Sequence, residues 1–293
     1  MRLSPNQKRK KLRQLMVAKD TLIAPGVYDG YGLRLVQQAG FLAAYLTGNG
    51  VSAALLGIPD VGQVDLTLIS DHARRIVSCV DIPVICDADT GYGGILNIQR
   101  TVMEFEAAGV AAIHIEDQVF PKRCGHLDGK EIIPSQAMAD KISAMVKHRL
   151  SPDFVIIART DARAIEGMEG TIRRANLYRE AGADAIFPEG LSDASEFKAF
   201  AQASPGHSLA NMTEFGKTQH ISAAEFGALG YSIVIFPLSL MRIAMNAVEE
   251  GLDCLKKQGS LESMLPKMQT RKDLYALLGY EPGIEWHFPN NRS

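Results

Sequence analysis

Eight short apolar runs, rich in β-branched residues, punctuate the chain: TLIAPGVYD (21–29), AAYLTG (43–48), PVICDAD (83–89), AAIHIED (111–117), FVIIARTDA (154–162), AIFPEG (185–190), HSLANM (207–212) and SIVIFPLS (232–239). Between them lie amphipathic stretches such as LTLISDHARRIVSCV, NIQRTVMEFEAAG, SQAMADKISAMVKHRL and TIRRANLYREAG, with apolar residues at three-to-four spacing. Runs that are apolar on both faces and alternate with helices imply a parallel sheet covered by helices, and eight such repeats close a (β/α)8 TIM barrel. An internal echo agrees, since QQAGFLAAYL, FEAAGVAAIHI, YREAGADAIF and GALGYSIVIF each stop a helix on glycine and enter the next strand within a few residues. An open doubly wound sheet is disfavoured because the first strand-to-helix turn has no G-x-G-x-x-G.

The predicted class is therefore α/β, one barrel domain over residues 1–293 with extra C-terminal helices from about 240 to 293. That tail holds the long amphipathic LMRIAMNAVEEGLDCLKKQGS and then LESMLPKMQTRKDLYALLGYEPG. It exceeds what a barrel needs, and surplus amphipathic helix usually covers a neighbouring subunit, so an oligomer is expected.

Composition narrows the partner class. A net charge of −2 with 22% charged residues offers no basic surplus for nucleic acid and no acidic tail, which leaves a small-molecule partner as the expectation. The basic start MRLSPNQKRKKLRQLM is followed by VAKDTLIAPG and not by an apolar core with a cleavage site, so it reads as a solvated first helix with Leu12, Leu15 and Met16 facing inward. No apolar stretch reaches 18 residues, so no membrane span is expected. Cys79, Cys86, Cys124 and Cys254 are scattered without a C-x-x-C pair, which argues against disulfides and structural zinc and for a reducing, cytoplasmic setting. Cys124 alone sits among cations, in FPKRCGHLDG.

Barrel active sites lie at the C-terminal strand ends, so polar residues that end apolar runs are the candidates. The third run ends in Asp87 and Asp89, which a period of two places on one side; the fourth offers Glu116 or Asp117, and Asp60 follows the second. Two carboxylates ~4 Å apart repel by roughly 4 kcal/mol at an effective dielectric of 20, so such a cluster needs a cation. Oxygen donors without Cys or His pairs favour Mg²⁺ or Mn²⁺, held by one or two direct carboxylates and through waters by the others. The plain alternative is that these acids cap the following helices. Arg159 ends the fifth run with a fork suited to a substrate carboxylate. Glu189, Asn211 and Thr213 reach the same rim, and the TGNG turn adds Thr47 with backbone N–H groups. His114, inside the fourth run, and His72 read as structural.

The segments YLTGNGVSAALLGIPD, DADTGYGG, HIEDQ, PKRCGH, ARTDA, FPEG, NMTEFGKT and MQTRKDLY together resemble the isocitrate lyase/phosphoenolpyruvate mutase superfamily, most closely its 2-methylisocitrate lyases. K-R-C-G-H is the most specific part, because the phosphonate-mutase branch lacks that cysteine. The resemblance implies a barrel whose last helix is swapped between subunits of a homotetramer, a dimer of dimers. It also implies Mg²⁺-dependent carbon–carbon cleavage of a 2-hydroxy polycarboxylate. On this basis Asp87 resembles the direct metal ligand, with Asp60, Asp89 and Glu116 acting through waters. Thr47, Gly48 and Arg159 resemble the clamp on the keto-acid half. Gly125, His126, Glu189, Asn211, Thr213 and Arg242 resemble contacts to the rest of the substrate. Retro-aldol cleavage would release pyruvate and leave the other half as an aci-carboxylate, with Cys124 as the general acid, Lys122, Arg123 and His126 as its cationic neighbours, and Tyr45 as the candidate base. Gly125 and Gly129 suit a mobile loop.

Substrate choice divides within the family. NMTEFGKT favours 2-methylisocitrate, giving pyruvate and succinate, whereas ARTDAR, with Arg163, also occurs in relatives that cleave 2,3-dimethylmalate to pyruvate and propionate. TGNG departs from the family's S-G-G-G-like turn, with Thr47 for serine and Asn49 adding an amide. Phe187, Ile235 and Pro237 would form an apolar wall against a substrate methyl. Pro237 stands where the family's oxaloacetate hydrolases tend to have serine, and Cys124 speaks against phosphonate mutase or hydrolase chemistry.

Overall fold

The computed structural model describes residues 3–123 and 129–286. Its strands are β1 (Leu22–Val27), β2 (Ala44–Leu46), β3 (Val84–Asp87), β4 (Ala112–Glu116), β5 (Val155–Thr160), β6 (Ala185–Pro188), β7 (Leu209–Asn211) and β8 (Ile233–Phe236). All pairings are parallel, in the order β6-β5-β4-β3-β2-β1-β8-β7. The two ends meet at a bridge between Ile186 and Ser208, where the Ile186 N–H donates to the His207 carbonyl at 3.1 Å. The sheet thus closes into the predicted (β/α)8 barrel.

Alternation along each strand divides the core into two layers. In β4, Ala112 lies in the cluster filling the barrel, while Ile113 and Ile115 lie in the larger cluster between strands and helices. Val155 and Ile157 of β5 point inward and Ile156 outward; Ile85 of β3 points inward and Cys86 outward. Continuing each alternation in steps of two carries Asp87 and Arg159, one step on from Ile85 and Ile157, and Glu116, two steps on from Ala112, to the inner side at the strand ends.

The opposite end of the barrel is plugged by the helix Pro5–Met16, begun by a Ser4 capping box, with Leu12 and Met16 in the inner cluster. The solvated reading of this helix needs correction, because Lys8 and Arg9 are buried. Lys8 Nζ donates to the Val77 carbonyl at 3.0 Å, and Arg9 donates to those of Val110 at 3.2 Å and Glu106 at 2.5 Å. Val77 and Glu106 lie in the last turns of their helices, where carbonyls lack helical partners and attract cations.

After the barrel, the helix Ser239–Gln258 buries none of its residues; Ile243 is 68% exposed and Leu252 61%. The helix Arg271–Leu278 packs back on Gly30–Gln38, where Arg34 donates to the Leu277 carbonyl at 3.2 Å. Among the described residues, no helix is long and apolar enough to cross a membrane.

Candidate active site

A cavity opens over the C-terminal strand ends, with about 60 Å³ of water-accessible space. Tyr45, Asp87, Arg159 and Phe187 face it from the strands, and Asp60, Lys122 and Arg123 from the loops after β2 and β4. Thr47 and Asn49 border it from the turn after β2, Glu189, Asn211 and Thr213 from the ends of β6 and β7, and Ile235 and Pro237 from β8.

Gly48 stands just behind this lining. A Cβ there would lie 2.7 Å from Asp87 Oδ2, so only glycine lets the turn approach the carboxylate this closely. Thr47 caps the short helix Gly48–Val51, its Oγ1 accepting from the Gly50 N–H at 3.3 Å.

The acids gather around a side chain of the protein. Lys122 Nζ is 2.5 Å from Asp60 Oδ1 and 2.8 Å from Asp89 Oδ1, with the lysine side chain 3% exposed. Asp89 leaves β3 with φ 46 and donates its N–H to Asp87 Oδ1 at 3.0 Å, which keeps the two aspartates together. The Lys122 ammonium thus neutralises the carboxylate cluster, because buried acids demand a counter-charge.

Burial pushes Asp89 up to about 7 against the pull of Lys122, with Asp87 and Asp60 adding to the rise. Burial would also raise Asp87, but His114, Lys122 and Arg159 hold it below the usual carboxylate range. Glu116 lies well above its ordinary value through burial, despite Arg159. Both Glu116 oxygens are buried without a hydrogen-bond partner; Arg159 Nε approaches Oε2 at 3.2 Å as an ion contact out of hydrogen-bonding geometry.

Orphaned carboxylate oxygens beside a cationic stand-in, with oxygen as the donor type, fit a hard divalent cation. Among the described residues, no three acids, histidines or cysteines are arranged to hold an ion directly. The oxygen donors gathered here are those of Asp87, Asp60, Asp89 and Glu116.

Beneath these acids lies His114, fully buried inside the barrel. Its Nε2 is 2.8 Å from Tyr45 Oη and 3.6 Å from Asp87 Oδ1, and its ring stacks on Tyr45 and meets the edge of Phe187. Burial lowers His114 to about 4, which leaves it neutral near pH 7, and burial together with Asp87 raises Tyr45. The signal for His114 was its place two residues before Glu116, on the same inward side of β4.

Arg159 supplies the opposing charge. Its guanidinium lies over the Phe187 ring at 5.1 Å and binds Asp161 through Nε at 2.9 Å and Nη2 at 3.1 Å.

Residues 12–255 match the phosphoenolpyruvate phosphomutase family. The chain belongs to the isocitrate lyase/phosphoenolpyruvate mutase superfamily. It is 45% identical over 270 residues to the 2-methylisocitrate lyase of Bacillus subtilis, covering 92% of this chain and 89% of that relative. It is 42% identical over 271 residues to the 2,3-dimethylmalate lyase of Eubacterium barkeri, covering 92% of each. Among solved structures, oxaloacetate acetylhydrolase bound to 3,3-difluorooxaloacetate matches with a TM-score of 0.89 at 36% identity over 94% of both chains. Phosphonopyruvate hydrolase bound to oxalate and Mg²⁺ matches with a TM-score of 0.84 at 29% identity, covering 94% of this chain and 95% of the other.

Not every candidate of this superfamily member reaches the cavity. Asp117, one residue out of phase with Glu116, faces the helix layer and accepts from Thr160, Tyr178 and Arg174 at 2.8, 2.7 and 3.2 Å. Arg242, expected at the substrate, instead binds the Glu214 carbonyl, pairs with its carboxylate at 3.4 Å and stacks on Phe215. Arg163 pairs with Glu196 on the helix Ala194–Ala203 and does not line the cavity. His72 binds the Tyr28 carbonyl at 2.7 Å. Arg123 has its backbone clamped on both sides by the Gln118 amide, each bond 2.9 Å. Cys124, Gly125 and His126 lie outside the described residues.

Proposed function

We propose that the protein is a Mg²⁺-dependent carbon–carbon lyase that cleaves 2-methylisocitrate to pyruvate and succinate. The observation that carries this reading is the convergence of Asp87, the Lys122-bridged pair Asp60 and Asp89, and Arg159 on one cavity, in a chain 45% identical to a 2-methylisocitrate lyase. Mg²⁺, for which Mn²⁺ can substitute as another hard cation, would supply Lewis-acid stabilisation of charge developing on the substrate oxygens. Arg159 holds the carboxylate of the keto-acid half, and the Thr47–Gly48 turn offers N–H groups to the same end.

Tyr45 is the proposed acceptor of the 2-hydroxyl proton, with His114 Nε2 at 2.8 Å to take the phenol's own proton. The carbon–carbon bond then breaks, its electrons passing to the carbon next to the departing half's carboxylate. Cys124 is the proposed donor of the proton that quenches this carbanion equivalent, with Arg123 and His126 as cationic neighbours. Glu189, Asn211 and Thr213 would face the remaining polar groups, and Phe187, Ile235 and Pro237 the substrate methyl.

A second reading, 2,3-dimethylmalate cleavage, is favoured by 42% identity to such an enzyme over 92% of the chain. Arg163 no longer helps to separate the two readings, since it is engaged with Glu196 away from the cavity. Incubation of the purified protein and Mg²⁺ with 2-methylisocitrate, isocitrate, 2,3-dimethylmalate and oxaloacetate, with α-keto acid followed, separates the candidates. No keto acid from any of the hydroxy acids would sink the lyase reading.

A homotetramer that exchanges the helix Ser239–Gln258 is the proposed assembly, supported by that helix burying nothing within its own subunit. A cytoplasmic setting is supported by the free thiols Cys79, Cys86 and Cys254.

A further inference from the structure

Arg159 can serve a substrate carboxylate only if its planar fork is held in one orientation. Five N–H donors on a long side chain do not fix themselves, so some anion must take one edge of the fork and leave another for the ligand. Three acids lie near it. Glu189 Oε2 stands off at 3.9 Å from Nη2, and Glu116 Oε2, at 3.2 Å from Nε, lacks hydrogen-bonding geometry. Asp161 alone binds in the two-pronged manner, Oδ2 to Nε at 2.9 Å and Oδ1 to Nη2 at 3.1 Å.

Asp161 is itself immobilised. It is 1% exposed, and its backbone N–H donates to Asp117 Oδ1 at 2.9 Å. Its Oδ1 also accepts from Lys130 Nζ at 2.8 Å, with the lysine side chain 3% exposed. Burial alone would raise this carboxyl, yet Arg159 and Lys130 together hold it down at about 2, so it stays an anion. Nη1, unused by Asp161, belongs to a side chain that lines the cavity.

We propose that Asp161, braced by Lys130, is a positioning residue that locks the Nε–Nη2 edge of Arg159 so that Nη1 is presented to the substrate carboxylate. The proposal rests on the reading of Arg159 as the carboxylate clamp. It adds that the clamp works as a triad, and that Lys130, which never reaches the cavity lining, contributes to affinity through Asp161.

The test uses the full-length protein with Mg²⁺ and oxalate as the probe, with titration calorimetry on Asp161→Asn, Lys130→Met, Arg159→Lys and the double variant Asp161→Asn/Arg159→Lys. Asp161→Asn is expected to weaken oxalate at least about tenfold, as loss of a residue that orients a ligand-binding group does, and to raise KM more than it lowers kcat. Lys130→Met, the milder variant, is expected to weaken oxalate about threefold or more with the parent's circular dichroism spectrum, which covers the case in which Asp161→Asn fails to fold. In the Arg159→Lys background the Asp161→Asn effect should shrink to less than half, because Asp161 then has no fork to orient.

A full additive loss in the double variant, or parental oxalate affinity in Lys130→Met, would overturn the positioning role while leaving the clamp intact. Parental oxalate affinity in Arg159→Lys would instead overturn the clamp reading, and this proposal with it.

Discussion

Replacing Lys122 with methionine keeps the length and apolar stem of the side chain and removes its charge, which tests whether that ammonium is the cluster's resident cation. At 2.5 and 2.8 Å from two carboxylate oxygens, each contact carries about 6 kcal/mol of attraction at an effective dielectric of 20. Desolvation offsets most of that, and removing one partner of a buried ionic group costs about 3–5 kcal/mol net. For a domain of this size that lowers Tm by about 6–20 °C in the absence of divalent metal.

The pH dependence has a definite sign. Asp89 already lies at about 7, above its unfolded value, because burial and the neighbouring aspartates outweigh Lys122. Between those two values the folded state keeps a proton that the unfolded chain has lost, so this group makes stability fall as pH rises. In the parent that fall ends near 7. Without Lys122 the folded value moves higher, so the variant goes on losing up to about 1.4 kcal/mol per pH unit above it.

Thermal unfolding in EDTA from about pH 6 to about pH 9 should therefore show a Tm gap that widens with pH, and Mg²⁺ should raise the variant's Tm more than the parent's. A metal-free variant that melts within about 2 °C of the parent throughout, or equal stabilisation of both by Mg²⁺, would refute the reasoning.

Gly48→Ala forces a methyl to within 2.7 Å of Asp87 Oδ2, and that carboxylate is tied to the Asp89 N–H; about 1–3 kcal/mol of strain is expected, with Mg²⁺ affinity by calorimetry down about tenfold or more, and unchanged affinity would contradict Asp87 as the direct ligand. Cys124→Ser should keep Mg²⁺ and oxalate binding while kcat falls by about 10² or more; near-parental turnover would remove the thiol from the acid role. Ile243→Glu with Leu252→Glu puts two charges on a helix whose apolar residues are exposed in the single subunit. Light scattering after gel filtration should show dissociation to smaller species, and a persistent tetramer would exclude that face from the interface.

Much of the site was legible because strand alternation is local. Once the ends of the apolar runs are located, Asp87, Glu116 and Arg159 fall on one side by counting in twos, and the cavity contains Thr47, Glu189, Asn211 and Pro237 as expected. The same counting, carried two residues back from Glu116, places His114 inside the barrel and sets Asp117 outside it.

What the sequence determined, then, is the barrel, its eight strands and the residues its strand ends present, because periodicity, glycine stops and strand length act over a few residues. Only the tertiary structure decided which acid each long cationic side chain meets. Lys122 crosses from the loop after β4 to acids that follow β2 and β3, Lys130 reaches Asp161 after β5, and Lys8 and Arg9 find helix-end carbonyls beneath the barrel. Arg242 and Arg163, equally plausible from sequence, pair elsewhere. The physical reason is that a buried charge goes to whichever counter-charge the folded chain brings within reach, and that choice depends on loops crossing one another in space.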